Sequence, residues 1–145
     1  MKFQGKNLST RIKEKEEKIL KVLEQLAEEN AKGTPIIVEG KNDITALRAL
    51  GVRGKLLSAK TGGKSLLEAV SEIERQGSRE AILLLDFDRR GKELTKRLKQ
   101  QLEKIGINPN LLFWRELSAL VSREVKDIEG LAAYMESLKS KIYNS

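Results

Sequence analysis

Two stretches decide the fold: Ile36-Ile37-Val38-Glu39-Gly40-Lys41-Asn42-Asp43 and Leu83-Leu84-Leu85-Asp86-Phe87-Asp88-Arg89-Arg90-Gly91. In each, a run of branched apolar residues stops abruptly on a carboxylate, and an amphipathic segment follows. A strand covered on both faces reads as a nearly continuous apolar run, and alternation with amphipathic segments is the pattern of βα units around a parallel sheet. Working outward, the same texture predicts strands over 36–38, 55–59, 81–85 and 111–114. Helices fill the gaps. Asn42 or Asp43 caps the first, which stops before Gly51, and Ser65 caps the second. The third runs over 91–105 before Gly106. A last helical region covers 118–139, with a break near Lys126-Asp127 or Gly130. Ahead of the first strand, Leu8, Ile12, Ile19, Leu23, Leu26 and Ala27 recur at helical spacing until Gly33 and Pro35, so residues 1–33 are expected to form an amphipathic helix packing on the core of a domain over 34–140, within a single globular unit.

Composition narrows the chemistry. The 145 residues contain neither Cys nor His, which excludes disulfides, thiolate or imidazole zinc sites, cysteine nucleophiles and Ser-His-Asp catalysis. Carboxylates, Lys, Arg, hydroxyls and backbone amides are left. The formal net charge of +7 favours a polyanionic partner, with nucleic acid first, although a Lys-rich surface is also simply a solvated one. No apolar run approaches the ~18 residues of a membrane span, and the N-terminus lacks an apolar signal segment, so a cytoplasmic protein without membrane contact is expected.

In open parallel sheets ligands bind beyond the carboxyl ends of the strands. Glu39 follows the first strand there, the glycine-rich Lys60-Thr61-Gly62-Gly63-Lys64-Ser65 follows the second, and Asp86 and Asp88 follow the third. Residues two apart in extended backbone share a face, so Asp86 and Asp88 can present two carboxylates to one hard cation. The alternative is that they only cap the next helix.

These segments resemble the E-G-x-x-D and D-x-D-x-x-G motifs of the Toprim (topoisomerase-primase) superfamily, through Glu39-Gly40 with Asp43 and through Asp86, Asp88 and Gly91. The similarity covers about residues 34–114 and is strongest to small stand-alone Toprim proteins and to nucleases that mature ribosomal RNA. It implies a Rossmann-like α/β fold of about four parallel strands flanked by helices, here with an extra N-terminal helix. It further implies Mg²⁺, or Mn²⁺, held by Asp86 and Asp88, with Glu39 as general acid/base or a further metal ligand. Asp43 is then a cap or a supporting group, while Gly40 and Gly91 allow close turns. Lys126-Asp127-Ile128-Glu129 loosely resembles a Lys-Asp-Pro-Asp element of primases, with Ile128 in place of proline.

Gly63-Lys64-Ser65 also matches the end of a P-loop, and residues 82–86 look like a Walker B strand, but Ser58 stands where the first P-loop glycine belongs. Either way, Gly62, Gly63 and Lys64 are candidates to cradle a phosphate. Between Asp88 and Lys104, seven cations face three acids. Arg89, Lys92, Lys96 and Lys99 recur at spacings of three and four, and with Lys41 and Arg90 they are candidates to contact a nucleic-acid backbone. Aromatic residues make up 4%, so no stacking platform for bases is expected. The expected function is Mg²⁺-dependent phosphodiester chemistry on nucleic acid, RNA preferred over DNA by the resemblance. The alternatives are a non-catalytic RNA- or DNA-binding module, such as a ribosome-associated one, and an NTPase.

Overall fold

The computed structural model describes residues 8–60 and 66–143. Along these residues run α1 (Leu8–Ala31), β1 (Ile36–Val38), α2 (Lys41–Ala49), β2 (Leu56–Ser58), α3 (Leu66–Arg75), β3 (Glu80–Leu83), α4 (Arg89–Lys104), β4 (Asn108–Asn110), α5 (Leu112–Val121) and α6 (Ile128–Tyr143). The strands form one parallel sheet in the order β2-β1-β3-β4. The sequence therefore crosses over on either side of β1, and a crevice opens between the carboxyl ends of β1 and β3, where the strand order reverses.

The central strands are buried on both faces, and their side chains sort with a period of two. Ile36, Val38, Ile82 and Leu84 pack into one core with Ile19 and Leu26 of α1, Leu47 of α2, Phe113 and Leu117 of α5 and Leu131 of α6. Ile37, Ala81, Leu83 and Leu85 face the opposite core, built with Val70 and Ile73 of α3 and Leu98 and Leu102 of α4. Three layers result, with α1, α2, α5 and α6 on one side and α3 and α4 on the other.

The N-terminal helix is tied to the sheet at its last turn. Asn30 is 1% exposed. Its amide donates to the carbonyls of Thr34 and Lys55, each at 2.9 Å, and its oxygen accepts from the Gly54 N–H at 2.7 Å. A Cβ on Gly54 would meet that Asn30 oxygen at 2.5 Å, so the contact requires glycine.

The fourth strand differs from expectation. Residues 111–114 open α5 instead, and β4 is the polar Asn108-Pro109-Asn110 just before them. An edge strand tolerates proline and partial solvation, so it lacks the apolar signature of a central strand. Leu112 begins a helix because the Asn110 side chain accepts its N–H at 2.9 Å, and Phe113, Leu117 and Val121 then recur on the buried face. The expected break in the last helical region falls between Val121 and Ile128.

Candidate active site

The crevice between β1 and β3 holds a cleft of about 250 Å³ lined by Glu39, Gly40, Lys41, Asn42, Asp43, Lys60, Asp86, Asp127 and Glu129. Glu39 directly follows β1 and is 8% exposed. One carboxylate oxygen accepts from the backbone N–H of Asp86 at 3.4 Å, and the other pairs with Lys60 Nζ at 3.1 Å. Its backbone carbonyl accepts from the Ser58 hydroxyl at 3.1 Å, which ties the end of β1 to the end of β2. The Gly63-Lys64-Ser65 stretch and Gly62 lie outside the described residues.

Asp43 is buried at the start of α2 and acts as a cap. One oxygen accepts from the Gly40 N–H at 3.0 Å, and the other reaches across to the Glu129 N–H of α6 at 2.8 Å. Burial pushes its pKa above the ordinary carboxylate value, with the negative charges of Asp127 and Glu39 acting in the same sense; the two backbone N–H groups oppose the rise. Asp127 in turn caps α6 through the Gly130 N–H at 2.6 Å. The N-terminus of α6 therefore turns its first amides to the Asp43 and Asp127 carboxylates, where they offset part of the crowding.

Asp86 is the exception among these carboxylates. Its Oδ1 is buried and, as a carboxylate oxygen, receives no hydrogen bond; only a proton would let it pair with the Glu39 carboxylate. Desolvation, then the negative charges of Glu39, Asp43 and Asp127, push its pKa up to about 7. An orphaned acceptor among like charges is costly on its own and is relieved by a proton or by a cation. Oxygen donors alone, with no imidazole or thiolate in the chain, suit a hard ion of the Mg²⁺ class, and such ions take one or two carboxylates and keep several waters. The residues present fit that group, with Asp86 and Glu39 as the donors closest to hand. Among the described residues no three acidic side chains form a ready-made cage.

Asp88 does not share the cleft with Asp86. The strand ends at Leu83, so alternation no longer governs residues 86–88. Asp88 takes extended backbone angles (φ −80°, ψ 177°) as the N-cap of α4, where its exposed side chain accepts from the Gly91 N–H at 2.7 Å. Gly91 brings that helix hard against the site: a Cβ there would collide with the Asp86 carbonyl and fall 2.8 Å from the Asp86 Cβ. Gly40, by contrast, is extended (φ −144°, ψ 177°), and a Cβ there would meet nothing closer than Asp43 at 4.0 Å, so no close turn requires that glycine.

The basic residues divide similarly. Lys41 lines the cleft, whereas Arg89, Arg90, Lys92 and Lys96 are exposed on α4. Arg89 and Lys99 are engaged along the helix with Glu93 (3.6 Å) and Glu103 (3.5 Å). Sequence reasoning left Lys60 and Glu129 out of the site and gave Asp127 no role. Lys60 is distinguishable only by its place just after β2. Asp127 carried a signal in the Lys126–Glu129 segment that Ile128 obscured.

Residues 36–128 match the Toprim-like family model. The chain is 38% identical over 125 residues to a UPF0292 protein of Methanosarcina acetivorans, covering 86% of this chain and 85% of that one. It is 39% identical over 120 residues to a UPF0292 protein of Methanocaldococcus jannaschii, covering 82% and 91%. A solved structure described as a putative protein from Aquifex aeolicus superposes with a TM-score of 0.57 at 26% identity, covering 86% of this chain and 98% of that one. With the parallel four-stranded sheet and the two acidic strand ends in place, the chain belongs to the Toprim-like family and to the UPF0292 proteins within it.

Proposed function

We propose that the protein carries out Mg²⁺-dependent phosphodiester hydrolysis on nucleic acid, with RNA preferred, at the cleft between β1 and β3. The buried, unpartnered Oδ1 of Asp86 beside Glu39 is the observation that supports this reading. Asp86, with Glu39, would hold the cation; Asp88, whose Oδ1 caps α4 and which stands outside the cleft lining, would join them through its other oxygen. When bound, the ion supplies charge neutralisation for a phosphate and orients water beside it. Glu39 takes the proton of the attacking water as the new P–O bond forms, and the bond to the leaving oxygen breaks as that oxygen acquires a proton. Gly62, Gly63, Lys64, Lys41 and the α4 cations Arg89, Arg90, Lys92, Lys96 and Lys99 would hold the flanking phosphates. Such contacts are sequence-independent, in keeping with an α4 face that carries no aromatic side chain.

The test is digestion of labelled RNA and DNA with and without Mg²⁺ by the wild type and by Glu39→Gln. Cleavage that needs the metal and falls on the order of 10²–10⁴-fold in the variant is the expected result. Metal-dependent cleavage unchanged in Glu39→Gln removes that residue's role. Tight binding with no cleavage by the purified wild type replaces the enzyme with a binding module.

A further inference from the structure

We infer that Lys60 is a built-in counter-ion of the acidic cleft, occupying Glu39 when no divalent cation is bound and competing with that cation for the same carboxylate. The inference rests on the metal-dependent reading of the site and concerns how the site is regulated.

Five carboxylates line the cleft, and their remaining donors are unevenly distributed. Asp43 is satisfied by two backbone N–H groups and Asp127 by one. Glu39 receives one long backbone contact, and its second oxygen is held by Lys60 Nζ at 3.1 Å. A divalent ion placed between Asp86 and Glu39 would bring a second positive centre to a carboxylate whose other oxygen is already paired with an ammonium, and like charges so close repel strongly where water is scarce. Each weakens the other's hold on Glu39. Lys60 is built to yield: its side chain is 42% exposed while that of Glu39 is 11% exposed, so the ammonium regains water at little cost and the carboxylate cannot. The displaced ammonium stays at the mouth of the cleft, where an arriving phosphate carries negative charge. Lys60 therefore keeps the crowded carboxylates tolerable in the empty protein and lowers the affinity for free cations.

Titration of the metal-free protein with Mn²⁺ alone, in the absence of nucleic acid, tests this without reference to turnover. Lys60→Met is expected to bind Mn²⁺ at least about threefold more tightly than the wild type, the scale of one half-exposed ion pair. Lys60→Arg, which can still pair with Glu39, is expected to stay close to the wild type. Lys41→Met is the control, because Lys41 lines the same cleft but makes no ion pair among the described residues. A Lys60→Met variant that melts like the wild type yet binds Mn²⁺ no more tightly overturns the inference. So does an equal gain in Lys41→Met, which would mean general charge and not competition. Failure of the wild type itself to bind Mn²⁺ would remove the metal-dependent reading, and this inference with it.

Discussion

Gly91 lies so close to Asp86 that a single added methyl would collide with the Asp86 carbonyl and come within 2.6 Å of its carbonyl carbon. The obstacle is backbone, which cannot rotate away as a side-chain tip can. Gly91→Ala is expected to destabilise the fold by about 1–3 kcal/mol and to weaken Mn²⁺ binding by shifting Asp86. Gly40→Ala, where the space is open and the backbone extended, should stay within about 0.5 kcal/mol of the wild type. Thermal melts and Mn²⁺ titrations of the two variants check the contrast. Equal behaviour would mean that α4 does not press on the site as described.

The two aspartates of the D-x-D segment are expected to separate by function. Asp86→Asn should abolish measurable Mn²⁺ binding while leaving the fold intact, because the buried oxygen loses its charge. Asp88→Ala should cost about 1 kcal/mol of stability through the lost cap on α4, and Asp88→Asn, which can still accept the Gly91 N–H, should recover it. Loss of cation binding in Asp88→Asn equal to that in Asp86→Asn would put both carboxylates on the metal.

The raised pKa of Asp86 predicts a pH signature. In the unfolded chain this carboxyl releases its proton near 3.8, but in the cation-free folded chain it holds it up to about 7. Between those values the folded state binds more protons, so this group's contribution falls as pH rises from about 4 to above 7. Asp43, shifted in the same direction, adds in the same sense. Melting of the EDTA-treated wild type should therefore drop more steeply across that window than melting of Asp86→Asn. Cation binding must expel the same proton, so Mn²⁺ affinity should climb with pH toward 7 and level off above it. Parallel melting profiles for the two proteins would count against a proton on Asp86.

Nucleic-acid affinity should depend on salt through α4. Lys92 and Lys96 are exposed. Replacing both with Ala should flatten the slope of log affinity against log salt by about 1.5–2, with no change in preference among sequences. An unaltered slope would place the backbone contacts on another face.

How far the sequence could be read depended on whether a position is determined locally. The runs before Glu39 and Asp86 announced central strands because burial on both faces leaves only apolar residues, and the carboxylates that follow them line the cleft between β1 and β3. β4 escaped notice because an edge strand needs no such run, and the apolar residues beside it belong to the first turn of α5. Period-two reasoning placed Asp88 beside Asp86 only by extending a strand beyond Leu83, where it ends. Lys60, Asp127 and Glu129 reach the cleft through tertiary packing across tens of residues, and their local sequence signals that approach only through the place of Lys60 after β2 and the Lys126–Glu129 segment.

The buried clamp of Asn30 bears on where this protein can be cut. The family match begins at Ile36, yet the carbonyls and the amide that Asn30 satisfies belong to the entrance of the sheet, and Ile19, Val22, Leu23 and Leu26 fill the core beneath β1 and β3. A fragment starting at residue 34 would expose those apolar surfaces and leave the Thr34 and Lys55 carbonyls to find water. In amide hydrogen exchange, the final turns of α1 should therefore open together with the central strands, as part of the same cooperative event, while the first turns fray alone. The stretch matched by the family model is therefore shorter than the folding module, whereas the matches to the UPF0292 relatives, about 125 residues long, extend into α1 as the packing requires.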